Sequence, residues 1–136
     1  MAVTPYLFFS DNCTEAFERY REILGGELQI MRNSDVPEAD RMPGGGDFVM
    51  HASLTLPDGG LLLGSDDPTG DDGPKTGFAV STSTPDIEAA RTVHAALADG
   101  GTVSMPVTAT FWSAGFGMCV DRFGVSWMVD VEHAKQ

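Results

Sequence analysis

Basic residues are scarce in this chain: 8 Lys and Arg stand against 20 Asp and Glu, a formal net charge of −12 over 136 residues. Phosphate backbones and anionic lipid headgroups are held by neutralising Lys and Arg, so this balance excludes nucleic acid and an anionic membrane surface as expected partners. Long apolar runs are missing too. Runs such as residues 6–9 and 61–63 fall far short of the ~20 residues a membrane-spanning helix needs. Only two cysteines occur, Cys13 and Cys119, enough for one disulfide at most. The opening residues Met-Ala-Val-Thr-Pro lack the basic and apolar regions of a secretory signal, so two free thiols and a cytoplasmic location are expected. Nucleotide loops are absent as well. Gly44-Gly45-Gly46 is not followed by Lys-Ser/Thr, and no dinucleotide fingerprint follows a strand, which speaks against an adenosyl or nucleotide cofactor.

What is present is enough for one globular domain. The chain is 42% hydrophobic and 21% charged, in the range of sequences that bury a core. Residues 3–9 are β-branched and aromatic and predict a strand. Ser10-Asp11-Asn12 offers capping oxygens for a helix over 13–24, with Ala16, Phe17, Tyr20, Ile23 and Leu24 on one stripe and Gly25-Gly26 as its stop. A second strand is expected at 28–32, then a Gly/Pro-rich loop over 33–47 whose glycines could serve as a lid. Residues 48–56 alternate, with Phe48, Met50, Ala52, Leu54 and Leu56 on one face and Val49, His51, Ser53 and Thr55 on the other. A Pro-Asp-Gly-Gly turn leads to a strand at 61–65, and a solvated aspartate-rich linker follows over 66–75.

The second half repeats this order: strand 78–83, helix 87–97, strand 102–107, and a closing hairpin of 116–120 and 125–131. Glu15-Ala16 aligns with Glu88-Ala89, Gly25-Gly26 with Gly100-Gly101, Phe48 and Met50 with Phe116 and Met118, and Gly60 and Asp66 with Gly124 and Asp130, which sets His51 against Cys119. The spacing drifts from 75 to 64, as unequal loops would make it. The fold class is therefore α+β, two tandem βαβββ modules (residues 1–70 and 71–133) within one domain spanning 1–136.

Several segments resemble one family: Pro5-Tyr6-Leu7-Phe8-Phe9, Val49-Met50-His51-Ala52, Gly64-Ser65-Asp66, residues 111–118 (Phe-Trp-Ser-Ala-Gly-Phe-Gly-Met) and residues 121–128 (Asp-Arg-Phe-Gly-Val-Ser-Trp-Met). The sequence resembles the PhnB-like group, labelled "3-demethylubiquinone-9 3-methyltransferase", of the vicinal oxygen chelate superfamily, the glyoxalase, bleomycin-resistance and dioxygenase proteins. That resemblance implies an open curved mixed sheet around a cup for a small molecule, and a homodimer. It also implies a place for a divalent metal, held in metal-dependent members by two histidines and two carboxylates. Here those positions fall between Thr4 and Tyr6, at Phe78, and near Gly64 and Met128. None is His, Asp or Glu, so no metal and no other cofactor is expected.

Function then rests on what lines the cup. The expected ligand-binding residues are Tyr6, His51, Trp112, Met118 and Trp127. His51 is the candidate catalytic residue, because an imidazole suits acid–base work near neutral pH. Trp112 and Trp127 offer flat apolar surfaces, although Trp127 alternates with Val125 and Val129 in a way that equally suits a core. Asp66 either orients His51 or caps the end of its strand. Cys119, with no evident activating neighbour, reads as an inert thiol. His94 stands in the apolar register of its helix and His133 in the tail, neither with a partner at ligand spacing. The reading is a small-molecule-binding protein. The alternative is an enzyme, a lyase or isomerase using His51 as acid–base or a metal site not evident in the residues.

Overall fold

A computed structural model of the chain describes residues 3–40, 47–67 and 75–132. The glycine loop over 41–46, most of the aspartate linker and His133 lie outside them. The elements run β1 (Tyr6–Phe9), α1 (Cys13–Leu24), β2 (Glu27–Arg32), β3 (Val49–Thr55), β4 (Leu61–Asp66), β5 (Lys75–Thr84), α2 (Ile87–Ala98), β6 (Thr102–Thr108), β7 (Phe116–Val120) and β8 (Val125–Val131). They form two compact units, 1–72 and 73–136, each with one α-helix and one open four-stranded sheet, and the expected loop after β2 carries two short 3-10 turns, Asn33–Asp35 and Glu38–Asp40. The strand orders are β1-β4-β3-β2 and β5-β8-β7-β6, with one parallel pair in each (β1–β4 and β5–β8). The βαβββ module is thus used twice.

In unit 1 the helix buries Cys13, Ala16, Phe17 and Tyr20 against one face of the sheet, where Leu7, Phe9, Val49, Ala52, Leu54 and Leu62 are also buried. Gly64 is required here. A Cβ at that position would lie 2.6 Å from the Phe17 ring and 2.8 Å from the Leu7 carbonyl oxygen. The helix start differs from expectation, because Asn12 makes no side-chain cap. Asp66, at the end of β4, caps it from outside: the Cys13 N–H donates to Oδ1 at 3.0 Å and the Val49 N–H to Oδ2 at 3.1 Å. In unit 2, Asp86 caps α2 conventionally by accepting from the Ala89 N–H at 2.8 Å.

The strict alternation expected along β3 breaks at one residue. Met31 pairs with His51 and Arg32 with Val49, so Met50 is an extra residue, a β-bulge. The bulge turns Val49 to the buried side while His51 and Ser53 keep the other face.

The ladders also correct the internal alignment. Tyr6 stands opposite Leu63 in β1–β4 as Ser81 stands opposite Met128 in β5–β8. The Asp67 N–H donates to the Phe9 carbonyl at 2.7 Å as the Glu132 N–H does to Thr84. Ser53 faces Leu63, and Met118 faces Met128. Equivalent residues are therefore Ser53 and Met118, and by continuation His51 and Phe116, not His51 and Cys119. Likewise Asp130 is the counterpart of Ser65, not of Asp66. Chemical identity at Phe48 and Phe116 had suggested a register that the bulge and unequal turns displace.

Candidate functional site

Each unit has a face turned away from its helix, and on these open faces lie most of the expected site residues. In unit 1, Tyr6 and Phe8 project from β1, Leu61, Leu63 and Ser65 from β4, and His51 and Ser53 from β3. Tyr6 is 38% exposed and Phe8 57%, with ring centroids 5.1 Å apart. The Tyr6 hydroxyl oxygen lies 3.3 Å from His51 Nδ1. Since β4 runs between β1 and β3, this contact crosses over β4. The hydroxyl donates when Nδ1 is bare and accepts when Nδ1 carries the proton; the first case leaves the hydrogen on Nε2. Asp66 is committed to two backbone N–H groups on the helix side, so His51 is oriented by Tyr6 and not by Asp66. The signal in the sequence was the same-face placement of a phenol two strands from an imidazole, which needs the strand order to be seen.

In unit 2 the open face carries a row of methionines. Met105 is opposite Met118, and Met118 opposite Met128, with Ser81 next across β5. The neighbouring row runs Thr108, Phe116, Asp130, Ser83. The turn before β7 presents Phe111 and Trp112, and its backbone is well tied. The Thr110 N–H donates to the Ser113 carbonyl at 2.9 Å, and Thr110 Oγ1 accepts from the N–H groups of Trp112 and Ser113 at 3.3 and 3.1 Å. Ser113 in turn donates to Asp130. The Trp112 indole, 44% exposed, packs edge-on against Phe111 at 4.7 Å and Phe116 at 5.5 Å.

Trp127 departs from the expected lining set. It is 1% exposed on the helix side with Val125, Val129 and Val131, and its indole N–H donates to Asp121 at 2.8 Å. Asp121 also accepts from the N–H groups of Phe123 and Val125 at 2.9 and 3.0 Å, fastening the β7–β8 turn. The alternation of large and small residues along β8 thus favours the core, and Trp127 supports the open face from behind. His94 is buried against β7, with Nε2 3.0 Å from the Met118 carbonyl oxygen. Both cysteines are buried. Burial, with a contribution from Asp66, raises the Cys13 thiol to about 12. Burial and Asp121 raise Cys119 to about 11. Neither is poised as a nucleophile at neutral pH.

The superfamily's divalent-metal positions carry other chemistry on these faces. Gly64, expected near one carboxylate position, faces Phe17, and the open-face residue of β4 equivalent to Met128 is Leu63. Leucine and methionine there bring no oxygen or nitrogen donor. Among the described residues no group of three or more His, Cys, Asp and Glu is placed to hold a metal ion. The residues present do not fit the usual four-ligand site.

Comparisons with known proteins place this architecture. The Glyoxalase/Bleomycin resistance protein/Dioxygenase superfamily profile matches residues 3–129. Protein YjdN of Escherichia coli is 30% identical over 141 aligned positions, 96% of this chain and 95% of that protein. The crystal structure of PA1353 from Pseudomonas aeruginosa is 39% identical with a TM-score of 0.82, covering 98% of this chain and 99% of that one. A Bacillus cereus PhnB protein, named for 3-demethylubiquinone-9 3-methyltransferase, is 25% identical with a TM-score of 0.76, over 97% of this chain and 100% of that one. The doubled module, its two open sheets and this family match agree: the chain belongs to the glyoxalase/bleomycin resistance protein/dioxygenase superfamily.

Proposed function

We propose that the protein is a small-molecule-binding member of the PhnB-like group, working as a homodimer in the cytoplasm and holding an apolar or aromatic ligand without a divalent ion at the superfamily's usual positions. The observation that carries this reading is the set of aromatic rings left in water on the open faces although the turns and strands bearing them are firmly tied. Trp112 is the main example, fixed through the Thr110 turn and flanked by Phe111 and Phe116. A ring already held in place loses little conformational freedom when a ligand stacks on it, so more of the contact energy becomes affinity. The half-buried methionine row beside it adds an apolar floor that adapts to the ligand's outline. Taken separately, Trp112 and Met118 give unit 2 an apolar surface, and Tyr6 and His51 give unit 1 a polar patch.

The test is a titration with an uncharged naphthalene, 2-ethylnaphthalene, followed by ligand-observed NMR. Trp112→Ala is expected to weaken binding roughly tenfold, as loss of an interfacial aromatic anchor does. Unchanged affinity would remove Trp112 from the site. A second reading, an enzyme of lyase or isomerase type, is favoured by one observation: His51 is held at Nδ1 by Tyr6, as a general base is held by its orienting partner. In that case His51→Ala abolishes turnover while ligand affinity survives; turnover equal to wild type would end the role.

A further inference from the structure

Asp130 is the one charged residue in the two rows on the open face of unit 2, and the readings above leave it without a task. It stands half-buried on β8, between Phe116 of β7 and Ser83 of β5. An ionised carboxylate is acceptor-only, with room for several donors on its two oxygens. One oxygen is provided for: Oδ1 accepts from the Ser113 hydroxyl and from the Val131 N–H at 2.9 Å. Among the described residues Oδ2 receives no hydrogen bond, and it is open to solvent. No described Lys, Arg or His pairs with the group; Arg122 is held by Asp99 at 3.2 Å, and His94 lies on the helix side against the Met118 carbonyl. The turn that fixes Oδ1 also carries the rings. Ser113 belongs to the Thr110 turn, immediately after Phe111 and Trp112. The Trp112 ring meets Phe111 at 83° and Phe116 at 68°, so the three rings stand on edge to one another in sequence. Ring faces carry negative potential, and a cation within about 6 Å of a ring centre is attracted to it. Phe116 is directly opposite Asp130 in the ladder, which puts their Cβ atoms about 4.5–5.5 Å apart. A positive group seated beside Phe116 and Trp112 is therefore also within reach of the carboxylate.

We propose that Asp130, Trp112 and Phe116 form a subsite for a substituted ammonium group, so that the ligand is an apolar or aromatic amine bound as its cation. The inference rests on the apolar-ligand reading above and names the ligand's charged end, within unit 2 alone. The ammonium N–H donates to Oδ2, the oxygen that the protein leaves open, while the N-alkyl groups, which share the positive charge, face the rings. The apolar skeleton rests on the row of Met105, Met118 and Met128 beside it. Ser113 is a positioning residue in this scheme. By bonding Asp130 from the turn that bears Trp112, it holds carboxylate and indole in one arrangement before any ligand arrives, so little ordering is left to be done on binding. The net charge of −12 draws cations toward the protein at long range and turns carboxylate ligands away.

The experiment compares N,N-dimethyl-(2-naphthylmethyl)amine, protonated at pH 7 as aliphatic amines are, with 2-isobutylnaphthalene, its uncharged isostere, and includes 2-naphthylacetate as the anion. The wild-type protein is expected to bind the amine about tenfold more tightly than the hydrocarbon, from the cation–ring and carboxylate contacts together, and the naphthylacetate more weakly than either. Asp130→Asn keeps an acceptor for Ser113 and removes the charge; it is expected to cut the amine preference to about threefold with hydrocarbon affinity unchanged. Trp112→Leu keeps apolar bulk and removes the ring face, and is expected to weaken the amine more than the hydrocarbon. Glu88→Gln, the same loss of charge at an exposed position in the first turn of α2, is expected to leave the preference as it was and so separates a local contact from net charge. Equal binding of amine and hydrocarbon overturns the subsite and leaves the apolar-ligand reading standing. So does a preference that Asp130→Asn or Trp112→Leu leaves intact, or one that Glu88→Gln lowers as much as Asp130→Asn. Binding of naphthylacetate above the amine overturns the cationic assignment. Failure of all three compounds to bind overturns both the subsite and the reading it rests on.

Discussion

The two modules share one topology but place their bulk on opposite sides of the helix–sheet contact. In unit 1 the helix supplies the large side chains, Phe17 and Tyr20, and the sheet makes room with Gly64. In unit 2 the helix contributes Ala90, His94 and Leu97, while the sheet supplies Trp127 and yields at Gly117, where a Cβ would come within 3.1 Å of the His94 ring. Duplicated modules can therefore exchange large for small across a contact and keep their register, because what the layer requires is total volume and not a given residue. The polar fastening differs in the same spirit. Asp66 ties the helix start to β3 in unit 1, whereas Asp121 ties the hairpin turn to Trp127 in unit 2.

The sharpest way to break this comparison is to empty one side of it. Phe17→Ala removes one of the two large helix-borne side chains of unit 1 and leaves Gly64 facing a void, since glycine has no side chain to fill the space. Loss of about 3–5 kcal/mol is expected from urea unfolding, the range for a fully buried phenylalanine. A loss below 1 kcal/mol would mean that the helix does not carry the bulk of that core, and the contrast between the modules would fail.

Much of this arrangement was legible in the chain. The strand and helix order, the doubling and the glycine stops follow from periodicity and turn residues, since Gly25 and Gly100 adopt the left-handed conformation that ends each helix, at φ 79° and 81°. The exact register was not legible. A single extra residue at Met50 shifts the phase of β3, and nothing in the local pattern of Phe48 to Leu56 distinguishes a bulge from plain alternation. Trp127 shows the same limit at the site. An indole between two valines satisfies a core face and a pocket wall equally well, and the choice is made by Asp121 receiving its N–H, a contact six residues away that forms only once the turn has closed. Tyr6 and His51 were both singled out, yet their pairing depends on β4 inserting between their strands.

The smallest expected effect concerns the thiols, one per module, and it sharpens the comparison because their surroundings differ. Cys13 sits at the helix start beside Asp66, and Cys119 in β7 on the helix side near Asp121. Both are raised from 9.0, to about 12 and about 11, chiefly by burial, so the folded protein holds the neutral thiol more firmly than the unfolded chain does. Folding stability from this source is fully present below pH 9, where both states keep the proton. It then declines as pH rises, levelling off near pH 11 for Cys119 and near pH 12 for Cys13. Cys13→Ala is therefore expected to flatten the fall in urea-unfolding stability between pH 9 and 12 more than Cys119→Ala does, because its window extends further. Identical alkaline profiles for wild type and both variants would show that the thiolates are not excluded by the folded state, and that neither helix–sheet layer is as dry as the burial of these two residues implies.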